Sequence, residues 1–210
     1  MPLLTGCAPD PRRPGYRLLE VDRGRFASLP VDLLQDFDET EGRTLTPQEL
    51  IWLREIADGE AAYRAAVRAL ANRPHAGFDL RRRLIQKQHA PAAADFAIAR
   101  LAAQGLLDDA KFAKDFAASR ATRGRGPARL IRDLLLQGID RRMAESAVRE
   151  ALVEEGIDPD REARAAAERR ALQLQHLPAP KRRRRLMAFL MRRGFSGPAV
   201  RHLVEQLSRS

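Results

Sequence analysis

Little in this 210-residue chain invites covalent chemistry or a cross-linked fold. It holds one cysteine, Cys7, so no internal disulfide can form, and a reducing compartment is the simpler expectation. Aromatic residues make up 5% of it, too few for a base-stacking platform of the kind that grips single strands. No apolar run approaches the length that crosses a bilayer, and the opening residues lack a basic-then-apolar leader, so a cytoplasmic protein without membrane contact is expected. His75, His89, His176 and His202 are scattered and remote from Cys7, so no metal and no other cofactor is expected. Gly194-Phe195-Ser196-Gly197 lacks the strand–turn–helix context of a nucleophile elbow. Gly124-Arg125-Gly126 lacks the Lys-Ser/Thr that completes a nucleotide phosphate loop. The acidic pairs Asp108-Asp109 and Glu154-Glu155 fall at helix ends, where capping accounts for them. Nothing here predicts an enzyme.

What the chain does have is positive charge, unevenly placed. The formal net charge is +10. Residues 1–59 carry 7 basic against 11 acidic side chains, and residues 60–210 carry 31 against 17, so −4 precedes +14. A segment that cationic is steered toward polyanions, of which nucleic acid is the commonest in a cytosol.

The cationic segment also repeats itself. Leu130, Ile131, Leu134 and Leu135 recur 56 residues later as Leu186, Met187, Leu190 and Met191, and Gly138-Ile139 recurs as Gly194-Phe195. A weaker copy lies 50 residues upstream at Leu80, Leu84 and Ile85. The following segment repeats at the same offsets: Met143, Ala147, Val148 and Ala151 match Ala199, Leu203, Val204 and Leu207 downstream, and Ala93, Ala97, Ile98 and Leu101 upstream. Apolar residues at i, i+1, i+4 and i+5 make a helical stripe, and a period near 50 marks a repeat architecture. Prolines at 91, 127, 159 and 198 signal helix starts, and glycines at 105, 124, 138, 156 and 194 signal stops.

A mainly α fold is therefore predicted: three tandem three-helix, helix-turn-helix-like repeats in an elongated array at about 60–105, 108–155 and 158–208, behind a small N-terminal β-hairpin and helix segment at 16–59. Residues 1–15, rich in Pro and Gly, read as a disordered lead-in. Tyr16–Val21 and Arg25–Leu29 flank Asp22-Arg23-Gly24 as a hairpin turn. Thr46-Pro47-Gln48-Glu49 is a capping box with Leu45 as its staple onto Leu50. Gly59 is expected to break or kink the helix so opened, and Trp52 to be buried between hairpin and helix.

The basic clusters are the candidate contacts. Arg123, Arg125 and Arg129 surround a loop that feeds a helix N-terminus, where free N–H groups favour an anion, with Arg132 one turn on. Arg182, Arg183 and Arg185 occupy the matching place in the third repeat, and Arg81, Arg82 and Lys87 that in the first. Phosphate contacts to single- and double-stranded DNA, or contacts to acidic protein, suit such patches. A helix-turn-helix transcriptional regulator and a purely structural adaptor are the competing functions that the same residues allow.

Several segments resemble one family. Gly105-Leu106-Leu107-Asp108-Asp109-Ala110-Lys111-Phe112-Ala113 resembles the "G-L-[IL]-D-D-x-x-[FY]-A" segment of RecX proteins, regulators of the RecA recombinase. Gly124-Arg125-Gly126-Pro127-Ala128-Arg129 is similar to their "G-x-G-P-x-[RK]", and Gln137-Gly138-Ile139 to their "[KR]-G-[IV]". Arg185-Leu186-Met187-Ala188-Phe189-Leu190 through Arg193-Gly194-Phe195 resembles "R-L-x-x-[FY]-L-x-x-R-G-[FY]". The order and spacing hold over residues 60–210. The first repeat departs: Ala76-Gly77-Phe78-Asp79-Leu80 stands where the family shows Ser-x-x-Glu-Leu. The resemblance implies a monomeric, non-enzymatic regulator that lodges in the groove of the RecA–DNA filament and inhibits ATP hydrolysis and strand exchange in DNA repair and recombination.

Overall fold

The computed structural model describes residues 2–209, which divide into two compact units. The first comprises the chain up to His75 with Leu80–Leu107, and the second Ala76–Asp79 with Asp108 onward.

The first unit opens with an antiparallel sheet in the order β1 (Leu4–Pro9), β2 (Tyr16–Val21), β3 (Gly24–Pro30). Asp22 and Arg23 both take positive φ, 52° and 63°, the two-residue turn whose twist suits paired strands. The expected disordered lead-in is corrected here, because Leu4–Pro9 is a strand registered on β2. Leu4 is fully buried with Leu19, Leu29, Leu45 and Leu53, and cross-strand pairing of that kind leaves no trace in local composition.

Helix α1 (Pro47–Asn72) begins as its sequence dictates. Thr46 accepts from the Glu49 N–H at 3.2 Å while Glu49 accepts from the Thr46 N–H at 2.8 Å. The break expected at Gly59 does not occur. The helix runs through it, and a Cβ there would stand 2.8 Å from the Phe96 ring of α3 (Pro91–Ala103). Glycine serves close approach rather than termination, and packing offsets its helix penalty of about 1 kcal/mol. Trp52 is 37% exposed and stacks on Phe37 with centroids 5.7 Å apart, so the buried anchor is also corrected. Leu50, Leu53, Ile56 and Ala57 are the α1 residues that pack with the sheet.

One buried charge ties sheet to helices. Glu60 of α1, 1% exposed, accepts from the Tyr16 hydroxyl of β2 at 3.0 Å and from Arg100 of α3 at 3.1 Å. Burial outweighs these partners and holds its carboxyl above the ordinary glutamate value of 4.5. The unfolded chain therefore releases this proton more readily than the folded one, and Glu60 lowers stability as pH rises from 4.5 through its folded value. Glu60→Gln is expected to flatten that dependence, whereas Glu60→Ala, which leaves Arg100 only Asp32 at 3.4 Å and strips the Tyr16 hydroxyl of its acceptor, should cost about 2 kcal/mol. Urea melts of both variants and the parent at pH 4.5 and 7 check this; parallel curves for Gln and parent would refute it.

Each three-helix set has its own core. In the first, Ala62, Ala66, Leu80, Leu84, Ala94, Ala97 and Leu101 join α1, α2 (Gly77–Gln86) and α3. In the second unit, α4 (Asp109–Ala121), α5 (Pro127–Leu136) and α6 (Arg141–Glu154) enclose Ala113, Ala117, Leu130, Leu134, Ile139 and Val148. There too α7 (Pro159–Gln173), α8 (Ala179–Arg193) and α9 (Pro198–Arg209) enclose Ala167, Leu186, Leu190, Phe195 and Val204. The repeated leucine pair of each second helix is thus the core in all three, worth about 2 kcal/mol per side chain. Alanine dominates the first helix of each set, which lets the other two approach closely. Ala76 belongs to the α4–α6 core, Gly77 donates its N–H to Asp109 at 2.8 Å, and Phe78 lies where a Cβ on Gly138 would stand.

Candidate polyanion-binding surface

The ten candidate basic residues do not share one environment. In the first unit Arg81 is forked onto Asp95 of α3, with Nη2–Oδ2 at 3.0 Å and Nε to Oδ1. The pair raises the Arg81 pKa and lowers that of Asp95, since each charge stabilises the other. Arg81 is a tie between α2 and α3. Arg82 is exposed on α2, and Lys87 is exposed in the turn just past its end. Lys87 lines a cavity of about 480 Å³ with Arg68, Arg73, His75 and Arg83. Arg68 on α1 and Arg73 just past its end were not among the sequence candidates, because only the packing of α1 on α2 sets them beside Lys87.

The loop before α5 departs most from expectation. Its helix N-terminus is not open to an anion: Gly126 donates its N–H to the Arg193 carbonyl at 2.7 Å, and Ala128 to the Gly194 carbonyl at 3.2 Å. Those carbonyls end α8, so the positive end of one helix dipole meets the negative end of another. The fit is close. A Cβ on Gly126 would stand 2.5 Å from the Gly194 oxygen, and one on Gly194 would stand 2.3 Å from the Arg129 Cβ.

This junction gathers cations. Asp133 of α5 holds Arg125 at 2.8 Å and Arg129 at 2.9 Å, one carboxylate between two guanidinium groups. A side-chain nitrogen of Arg193 approaches Gly124, so α8 delivers a cation to the α4–α5 loop. That Arg193 was not among the candidates, and only the Arg-Gly ending of α8 hinted at it. Arg123 and Arg132 are exposed, without a carboxylate partner among the described residues.

The third cluster lies at the other end of α8, roughly 12–17 Å from Arg193 along the axis. Arg182 is half-buried and donates to the Ser208 carbonyl at 2.7 Å, which makes it a strut to α9. Arg183 reaches Glu205 at 3.5 Å. Arg185 is exposed and has no carboxylate partner among the described residues. No acidic residue occupies the first turn of α8, so its cations stand against the positive end of the helix dipole. Local charge that opposes the helix it sits on is relieved by an external anion, a conflict characteristic of binding sites. The one thiol offers no alternative chemistry: burial, then Glu39, push Cys7 up to about 11.

Comparison with known proteins follows the same helices. Family descriptions of the second and third three-helix domains of RecX match residues 108–152 and 158–204. The regulatory protein RecX of Halorhodospira halophila is 37% identical over 146 residues, which cover 69% of this chain and 87% of that one. That of Pseudomonas fluorescens is 33% identical over 145 residues, covering 69% and 90%. A crystal structure of a regulatory protein RecX shares the fold over the whole of both chains, with a TM-score of 0.73 at 17% identity. RecX from Lactobacillus salivarius covers 73% of this chain and 98% of its own, with a TM-score of 0.60 at 19% identity.

Proposed function

The chain belongs to the RecX family and its role is regulatory; from that premise we propose that it binds the RecA–DNA filament and lowers RecA ATPase and strand-exchange activity. The observation that carries this reading is the set of exposed arginines on the second unit, with Arg123, Arg132 and Arg185 free of carboxylate partners among the described residues. Guanidinium groups so placed meet phosphates, or carboxylates of a filament protomer, with two parallel hydrogen bonds. Several weak contacts made at once give avidity without an enclosed pocket. Among the described residues no helix is long and apolar enough to cross a membrane. In this reading the protein acts as a monomer, in the cytoplasm and without a cofactor.

The test is co-sedimentation with RecA filaments on single-stranded DNA, with bare DNA and free RecA as controls, alongside the ATP hydrolysis rate. Pelleting that requires the filament, together with a slower rate, is the expected result. An unchanged rate with discrete protected sites on naked duplex would replace this reading with that of a helix-turn-helix transcriptional regulator.

A further inference from the structure

A groove of about 760 Å³ opens beside α8 and α9 in the second unit, and the arginine surface leaves it unexplained. Pro180, Arg184, Met187 and Met191 recur along it at spacings of four, three and four residues, a single stripe of α8. Met191 is 61% exposed, and Met187 reaches from the groove to the α7–α9 core. Methionine has no charge to solubilise it and bends to fit varied apolar partners, which suits it to a docking surface. The rim is cationic. Arg183 is matched by Glu205, whereas Arg184 and Arg209 have no carboxylate partner among the described residues.

We propose that this groove docks an acidic amphipathic helix of a partner protein. The complement of exposed methionines with unmatched cations beside them, Arg184 on α8 and Arg209 on α9, is a helix with apolar residues at i, i+3 or i+4 and i+7, flanked by carboxylates. Charge selects this occupant. A second copy of α8 would bring Lys181–Arg185 and Arg192-Arg193 against the same rim, and like charges repel. Nucleic acid would satisfy the rim but offer no apolar face to Met187 and Met191. The inference goes beyond the proposed function, because it holds whichever protein supplies the helix.

Fluorescence anisotropy with the full chain and synthetic peptides tests it. The probe is a fluorescein-labelled peptide of about four helical turns, with Leu at i, i+3 and i+7 and Glu on both flanks. A scramble of the same composition and a version with Lys for Glu are the controls. The acidic amphipathic peptide should bind roughly tenfold or more tightly than either control. Met191→Glu should lose about that factor with unchanged circular dichroism, and Met191→Leu should keep the affinity. Arg184→Glu, at an exposed position, supplies a second loss should Met191→Glu misfold. Equal binding of the scramble would reduce the groove to plain charge and overturn the proposal. So would equal binding of the Lys peptide, or indifference to both substitutions. Self-association without peptide that Met191→Glu abolishes would name a second copy as occupant and overturn it too. Since no RecA or DNA is present, failure here leaves the filament assay untouched.

Discussion

Replacing Gly194 with alanine is expected to destabilise the second unit by about 3 kcal/mol. Two costs combine at this position. Gly194 has φ 91°, a region that L side chains rarely adopt, and its added Cβ would meet the Arg129 Cβ at 2.3 Å and the Arg129 nitrogen at 2.4 Å. The backbone of α5 would have to withdraw, breaking the Gly126 and Ala128 hydrogen bonds that join α5 to α8. Gly156→Ala is the control. It too has positive φ, 63°, but nothing lies within 4 Å of its would-be Cβ, so it should cost only about 1 kcal/mol. Urea denaturation of both variants measures the difference. Equal losses would show that the helix-end junction contributes nothing to stability.

Reversing Arg123, Arg132 and Arg185 together to glutamate should weaken binding to DNA about a hundredfold at moderate salt, with helicity unchanged. Three phosphate contacts removed should also flatten the salt dependence, by about 2 on single strands and nearly 3 on duplex. Arg81→Ala and Arg182→Ala are the informative contrast, because Arg81 is engaged by Asp95 and Arg182 by the Ser208 carbonyl. These two should leave the salt slope unchanged. Arg125 and Arg129 fall between, since they share Asp133 and Arg129 also packs on Gly194. Titrations of labelled oligonucleotides over a series of salt concentrations measure every slope. A triple variant with the parent's slope would move the polyanion surface away from these residues.

The contrast between those sets of arginines explains how much of the site was legible. Lys181 through Arg185 reads as one basic run, and so does Arg81 through Arg83. In the folded chain one member of each run is a strut and its neighbour faces solvent. A helix turns about 100° per residue, so adjacent side chains in one run meet different surroundings. The same holds for apolar residues. Leu190 and Met191 are neighbours in sequence, yet Leu190 is wholly buried and Met191 lines a groove.

Two errors of expectation share one cause. Leu4–Pro9 has loop-like composition and Gly59 a helix-breaking identity, yet the first is a strand and the second is helical. In each case a partner distant in sequence, β2 or the Phe96 ring, outweighs a local preference of about 1 kcal/mol.

By itself, then, the chain's order of residues determined the helices, their caps, the threefold repeat of core leucines and the cationic balance. Each of these depends on neighbours within a turn or two, or on composition alone. Only the tertiary structure decided which arginines stay available and where the α5 N-terminus finds its acceptors. Asp95 lies 14 residues from Arg81 and Ser208 lies 26 from Arg182, while the Arg193 carbonyl reaches Gly126 across the whole of α6 and α7. Partners at such separations are chosen by packing, which brings helix ends together without regard to the local pattern.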